Sequence, residues 1–275
     1  MEAGAHMTEA VVGKLSKTLA GEAPVFSAWV GMNEAAVAEA LAREAFDAVI
    51  LDMQHGALDF AGASRAILAV ALAGLPAVVR VPVGDFALAS RLLDAGAAGI
   101  IAPMTNSRAD AERLASFSKF PPVGERSWGP RAAMPLAGCD THGYLASANG
   151  LIQAIAMIET AEALDALDDI LAVEGVDGVF VGPADLSIAL SRGAKWEPRG
   201  RAVLEAAGRV VARARAHGKY AGMFCYDGAD AAGMAALGFK LCSVGSDGSF
   251  LRAAAAAELA SARGRTAPGK VQKSY

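Results

Sequence analysis

The chain has 275 residues and a formal net charge of −4, with no block of Lys and Arg, so it lacks the clustered cations that a nucleic-acid surface requires. Hydrophobic residues make up 54% of it and aromatic residues 6%, so the core has to be built from Ala, Val, Leu and Ile, a mix suited to helices packed on a parallel sheet. Cys139, Cys225 and Cys242 have no C-x-x-C spacing, which argues against a disulfide framework and a thiolate zinc site; they are expected as small buried hydrophobes in a reducing compartment.

At the N-terminus, Gly4-Ala5-His6-Met7 reads as the remnant of a tag, and residues 1–6 are set aside on that ground. From there, short runs rich in Val and Ile alternate with Ala-rich segments of helical period. Strands are expected at Ser27 to Met32, Asp47 to Met53, Ala77 to Val81, Gly99 to Met104, Leu151 to Ile158, Gly178 to Val181, Tyr220 to Cys225 and Leu241 to Val244. Helices are expected at Asn33 to Glu44, Leu58 to Ala73, Asp85 to Asp94, Ser107 to Ser118, Ala161 to Ala172, Arg201 to His217, Asp227 to Leu237 and Ser249 to Ala262. Asn33, Ser107 and Asp227 are candidate N-caps, and Gly96 and Gly238 punctuate helix ends. A repeated βα unit with right-handed crossovers closes into a (β/α)₈ barrel, which takes about 250 residues, so residues 7–263 are read as one domain. The rival, an open doubly wound sheet, would carry a nucleotide fingerprint after its first strand, and Gly31-Met32-Asn33-Glu34 is not one. The connection from Pro121 to Gly150 is too long for a plain turn and is a candidate functional loop. The tail from Gly264 to Tyr275 lacks apolar periodicity and is expected to fray. No window of about 18 apolar residues occurs, so a soluble, cytoplasmic protein without a membrane partner is expected.

In such a barrel, polar residues at the C-terminal ends of strands converge on one mouth. Asp52, Gln54 and His55 close the second strand, Arg80 the third and Glu159 the fifth, while Asp185 follows the sixth. Each also has a structural reading: Asp52 and His55 as corner residues, Arg80 as half of an ion pair, Glu159 and Asp185 as helix caps. Their convergence on one face favours chemistry. Two carboxylates from neighbouring strands without a Cys ligand suit Mg²⁺ or Mn²⁺, and an Arg at the same mouth suits a carboxylate or a developing enolate oxygen. An amine nucleophile is poorly supported. Lys219 and Lys240 precede strands, at the wrong end of the barrel, and Lys195 lies in a polar loop with nothing to lower its pKa.

The elements Asp52-Met-Gln-His55, Arg80, Leu92-Leu-Asp-Ala-Gly-Ala97, Ile158-Glu-Thr160 and Gly178-Val-Phe-Val-Gly-Pro-Ala-Asp-Leu-Ser187 resemble the HpcH/HpaI aldolase family, from about Trp29 to Val244. The resemblance implies a metal-dependent class II pyruvate aldolase, closest to the hydroxyketoacid branch, acting on a 2-oxo acid and an aldehyde. It implies Glu159 and Asp185 as ligands of a divalent ion (Mg²⁺ or Mn²⁺, with Co²⁺ also accepted), Arg80 on the keto oxygen, and His55 in proton transfer. Asp94 would orient His55 from an adjoining subunit of a hexamer built as a trimer of dimers. The N–H groups of Ala184 and Asp185 would hold the substrate carboxylate, with Gly182, Trp29 and Gln54 among the contacts and Asp52 in the catalytic group.

Two features depart from the family pattern. Gln54 stands where many members have Glu, and Gly124-Glu-Arg-Ser-Trp-Gly-Pro-Arg-Ala132 differs from their glycine-richer loop; Arg126 and Ser127 are its candidates for contacting the aldehyde. Two alternatives differ in chemistry: an acyl-CoA lyase of the citramalyl or malyl type, and a non-catalytic barrel that binds 2-oxo acids. Gly245-Ser-Asp-Gly248 is either a phosphate cradle or, more simply, a turn into the last helix.

Overall fold

A computed structural model describes residues 10–265; the tag remnant and the tail beyond residue 265 lie outside the described residues. The expected eight strands are all present: β1 (Val25–Val30), β2 (Ala48–Asp52), β3 (Ala77–Arg80), β4 (Gly99–Ala102), β5 (Gln153–Ile158), β6 (Gly178–Val181), β7 (Tyr220–Met223) and β8 (Leu241–Ser243). Each pairs in parallel with the next, and β8 pairs with β1, so the sheet closes on itself as a (β/α)₈ barrel. No helix among the described residues is long and apolar enough to cross a membrane.

The crossover helices fall within a residue or two of expectation at α3 (Phe60–Leu72), α4 (Phe86–Asp94), α5 (Arg108–Ser118), α11 (Arg201–Ala216), α12 (Gly228–Leu237) and α13 (Asp247–Ala262), while α2 (Ala35–Ala42) is shorter. Ser107 and Asp227 cap as expected. Asn33 does not: the N-cap of α2 is Glu34, without a side-chain cap bond. The segment expected as one helix from Ala161 to Ala172 breaks at Ala166 into α8 (Ala161–Asp165) and α9 (Leu167–Leu171). Three helices go beyond the sequence reading: α1 (Lys14–Ala20), α7 (Thr141–Leu151) and α10 (Pro183–Leu190), together with the single turn α6 (Ala133–Leu136). The connection from Pro121 to Gly150 is therefore not a bare loop, and Leu151, expected in β5, is the last residue of α7.

Two apolar clusters follow from the period-two alternation of the strands. Ala48, Ile50, Val78, Ile155, Met157 and Phe180 point into the barrel, where Leu15 and Leu19 of α1 join them. Val49, Leu51, Val79, Ala154, Ala156 and Val179 point outward under the helices. Those outer positions are aliphatic, mostly Ala and Val, which lets Ala-rich helices approach closely and meets the expectation of a core poor in aromatics. Cys225 and Cys242 are buried; Cys139 is only half-buried, and all three are free thiols.

The end of the barrel where the strands begin is held by charge. Lys119, 1% exposed, lies 2.7 Å from Asp177 and donates to the carbonyls of Asn149 and Ile152. Burial pushes the Lys119 ammonium below its ordinary pKa, against the pull of Asp177. Removing one partner of such a pair leaves an uncompensated buried charge. Asp177→Ala is therefore expected to cost roughly 3–5 kcal/mol, read as a lower urea midpoint. Adding Lys119→Met to it should recover part of that loss.

Candidate active site

Inward-facing positions at the tops of the strands supply the site. Asp52 and Arg80 are register partners across β2 and β3, so their side chains emerge side by side. Arg80 Nε lies 2.9 Å from Asp52 Oδ1 and Nη2 lies 2.6 Å from Oδ2, a bidentate pair with both residues buried. Trp29 adds a third constraint: its Nε1 donates to Asp52 Oδ2 at 3.3 Å, and the guanidinium carbon of Arg80 sits 4.9 Å from the centre of its ring. The backbone N–H groups of Gln54 and His55 also donate to Asp52, at 3.0 and 3.3 Å. Burial alone would raise the Asp52 carboxyl, but Arg80 and these two amides hold it below its ordinary range. Asp52 is thus a permanently charged anchor, unsuited to accepting a proton near neutrality.

The break at Gly56 has a steric cause. A Cβ there would fall 2.1 Å from the Asp52 carbonyl oxygen and 2.8 Å from that of Gly31. The chain needs glycine to fold back across the strand exits, and this leaves the His55 side chain exposed on the mouth. Gln54 is half-buried beside it, with Oε1 lacking a hydrogen-bond partner.

Glu159 continues the inward series of Ile155 and Met157 and is 1% exposed. Oε1 accepts from the Met104 backbone N–H at 2.8 Å; Oε2 is buried with no partner. Met104 reaches it from the loop after β4 with φ 53°, a left-handed conformation rare for a non-glycine residue. Burial, reinforced by the negative charge of Asp185, pushes the Glu159 carboxyl up to about 7 against the Met104 bond and the Arg80 charge. Asp185 lies exposed in the first turn of α10. The glycine between them leaves room for the carboxylate: a Cβ at Gly182 would come 2.5 Å from Glu159 Oε2 and force that side chain to shift.

An orphaned carboxylate oxygen beside a second carboxylate fits a divalent cation bound through oxygen. Among the described residues, no group of three or more His, Cys, Asp or Glu side chains is placed for a metal. A cation here would have Glu159 and Asp185 as its protein ligands, leaving positions for water and a chelating substrate. At the start of α10 the first intrahelical donor is Leu186, bonding Gly182, so the N–H groups of Ala184 and Asp185 remain directed at the mouth; Pro183 has none to offer.

Three expected site residues are not at this mouth. Asp94 is the last residue of α4, and Arg126 and Ser127 follow α5, which carries the chain back to the strand-start end. Arg126 lies fully buried, 2.6 Å from Asp94 Oδ1 and 4.7 Å from the Phe120 ring, so it does not reach an aldehyde in its own barrel; Ser127 is exposed. Asp94 also borders a cleft of about 600 Å³ with Phe60, Leu68, Arg91 and Arg131.

The supposed phosphate cradle is filled by the chain itself. Asp247 Oδ2 accepts from the N–H groups of Gly31 and Met32, at 3.0 and 2.8 Å, and Ser246 forms a capping box with Ser249. Neither the Met104 amide nor the Asp247 latch carries a sequence signal: one is a backbone group positioned by a loop, and the other joins residues more than two hundred positions apart.

The sequence model of the HpcH/HpaI aldolase/citrate lyase family matches residues 26–254. A hydroxypyruvate/pyruvate aldolase from Rhizorhabdus wittichii is 42% identical over 240 residues, 87% of this chain and 94% of that protein. A hydroxypyruvate/pyruvate aldolase from Agrobacterium fabrum is 37% identical over 82% of this chain and 84% of its own. Among solved structures, an HpcH/HpaI aldolase/citrate lyase family protein from Burkholderia cenocepacia superposes with a TM-score of 0.82 at 33% identity, covering 91% of this chain and 99% of the other. The chain belongs to the HpcH/HpaI aldolase/citrate lyase family, and within it to the carbon–carbon lyases of the aldolase kind.

Proposed function

We propose that this barrel joins the enolate of a 2-oxo acid, pyruvate or hydroxypyruvate, to an aldehyde and catalyses the reverse cleavage, using a divalent ion held by Glu159 and Asp185. The observation that carries this reading is the buried Glu159 carboxylate, with one oxygen tied to Met104 and the other unpartnered beside Asp185. The family is metal-dependent, and Mg²⁺, Mn²⁺ and Co²⁺ all accept oxygen ligands. When bound, the ion supplies Lewis-acid polarisation of the keto group. Relatives named as aldolases favour this chemistry over an acyl-CoA lyase.

The chain's own groups account for the rest of the reaction. Asp52 holds Arg80 through Nε and Nη2, which leaves Nη1 as the guanidinium nitrogen outside the pair, directed at the keto oxygen. Loss of a proton from C3 moves charge onto that oxygen, so a fixed cation there stabilises the transition state more than the ground state. The amides of Ala184 and Asp185, with Gly182 allowing close approach, hold the substrate carboxylate. The exposed imidazole of His55 carries the proton, and Gln54 Oε1 offers it or a water an acceptor.

Asp94 serves His55 of an adjoining subunit in this reading, because it stands at the opposite end of its own barrel. Two features support assembly into the expected hexamer, a trimer of dimers. The cleft beside Asp94 is one, and α13, whose residues from Leu251 onward are almost all exposed, is the other.

Exchange of the C3 protons of pyruvate, followed by NMR in deuterium oxide, tests the reading. Exchange should require added Mn²⁺ or Mg²⁺ and stop with EDTA and in Glu159→Ala; exchange that persists under both conditions overturns it. Arg80→Ala should slow exchange by about 10²- to 10³-fold. The raised Glu159 pKa makes a separate prediction for the metal-free protein. Folded Glu159 holds its proton up to about pH 7, whereas the unfolded group loses it near 4.5, so stability falls as pH rises through that interval. The loss is on the order of 3 kcal/mol before solvent screening. Thermal melts should show the decline in the wild type and not in Glu159→Gln.

A further inference from the structure

A continuous aromatic path leads from Arg80 to the outer rim of the mouth. Trp29, stacked on Arg80, meets the edge of Phe224 at 5.0 Å between ring centres. Phe224 meets Tyr226 at 5.1 Å, and Tyr226 meets Trp196 at 6.2 Å, each near perpendicular. Trp29 and Phe224 are buried in the innermost layer of the barrel, Tyr226 is half-buried just above, and Trp196 is 43% exposed. Such edge-to-face contacts give a wall of defined geometry.

The outermost ring is held in place. Trp196 lies in the connection after α10, the helix that carries Asp185 at its start. This connection is pinned to α10 twice: Ser187 Oγ accepts from the Glu197 N–H at 3.2 Å, and Ser191 Oγ accepts from the Lys195 N–H at 3.0 Å. On the β7 side the Tyr226 N–H donates to Asp230 at 3.0 Å. Arg199 lies 5.3 Å over the Tyr226 ring, with its guanidinium engaged by Asp227 at 3.1 Å and Asp230 at 3.3 Å. The guanidinium over Tyr226 is therefore neutralised by two carboxylates, and Lys195 lies 3.8 Å from Glu197, so the cations beside the outer two rings are already paired, which disfavours a phosphate or carboxylate here.

We propose that Trp196 and Tyr226 form the subsite for the aldehyde's substituent and select uncharged aldehydes bearing an aromatic or flat apolar group. The proposal rests on the aldolase reading. With the 2-oxo acid held between Arg80 and the exits of β5 and β6, the β7 exit is the neighbouring side of the mouth, and an incoming aldehyde there lays its substituent on the two rings. Apolar contact with the face of Trp196 is made only by an aldehyde large enough to reach it, so the ring acts on selectivity and not on enolate formation.

The test compares kcat/KM for benzaldehyde, glycolaldehyde and glyceraldehyde 3-phosphate, each with pyruvate, in wild type, Trp196→Ala and Trp196→Phe. The ratio of benzaldehyde to glycolaldehyde should fall about tenfold in Trp196→Ala, with glycolaldehyde moving less than twofold, and Trp196→Phe should restore most of it. Wild type should disfavour the phosphorylated aldehyde. An unchanged ratio, an equal fall for both aldehydes, failure of the wild type to use benzaldehyde, or preference for glyceraldehyde 3-phosphate overturns the assignment. So does a changed sedimentation profile of Trp196→Ala with unaltered selectivity, which would place the ring in a subunit contact. Pyruvate exchange in the wild type separates the two readings. If exchange occurs and the ratio does not respond, only the subsite fails; without exchange, the aldolase reading fails and takes the subsite with it.

Discussion

The mouth of this barrel is organised around one ion pair, Asp52 with Arg80. The pair exists because two adjacent parallel strands are in register at their last residues, so an acid and a guanidinium emerge on the same face at the spacing of a single hydrogen-bonded rung. Burial would make either charge costly alone. Each is satisfied by the other in bidentate geometry, and the carboxylate further gathers Trp29 and the amides of Gln54 and His55. The orientation of Arg80, the start of the loop that carries His55 and the innermost aromatic ring are therefore consequences of one carboxylate.

Across the mouth the logic is reversed. Glu159 is buried as deeply as Asp52, yet it accepts a single amide hydrogen bond, and burial together with the like charge of Asp185 outweighs that bond and the Arg80 charge, so its proton affinity rises. Two acids at strand exits of one barrel thus have opposite electrostatic characters, one satisfied within the chain and one with a carboxylate oxygen left without a hydrogen-bond partner. Gly56 lets backbone pass where any side chain would collide with the Asp52 carbonyl, and Gly182 leaves space beside the Glu159 carboxylate.

Much of this was legible in the sequence. Their place at the ends of Val- and Ile-rich runs put Asp52, Arg80 and Glu159 at strand exits, and parallel-barrel topology then brought them together whatever their separation along the chain. What escaped reading has physical reasons. The helix from Thr141 to Leu151 contains two glycines and an asparagine, which mask its helical period, and Lys14–Ala20 stands before the first βα unit, where no alternation announces it. Arg126 and Ser127 were expected to contact the aldehyde; the helix before them runs antiparallel to its strand and delivers them to the far end of their own barrel, where Arg126 pairs with Asp94. The unusual backbone at Met104 belongs to a loop whose conformation answers to Glu159 and not to its own residue preferences.

The carboxylate of Asp247 fastens the exit of the first strand to the entry of the last helix, across 216 positions of sequence. A parallel barrel has no free edge once it is closed, and this contact lies on the seam where the closure occurs. During synthesis the opening strand leaves the ribosome long before its latch. The catalytic rim therefore takes its final outline only when the last βα unit arrives, and a nascent chain lacking that unit would present an open sheet with two unpaired borders.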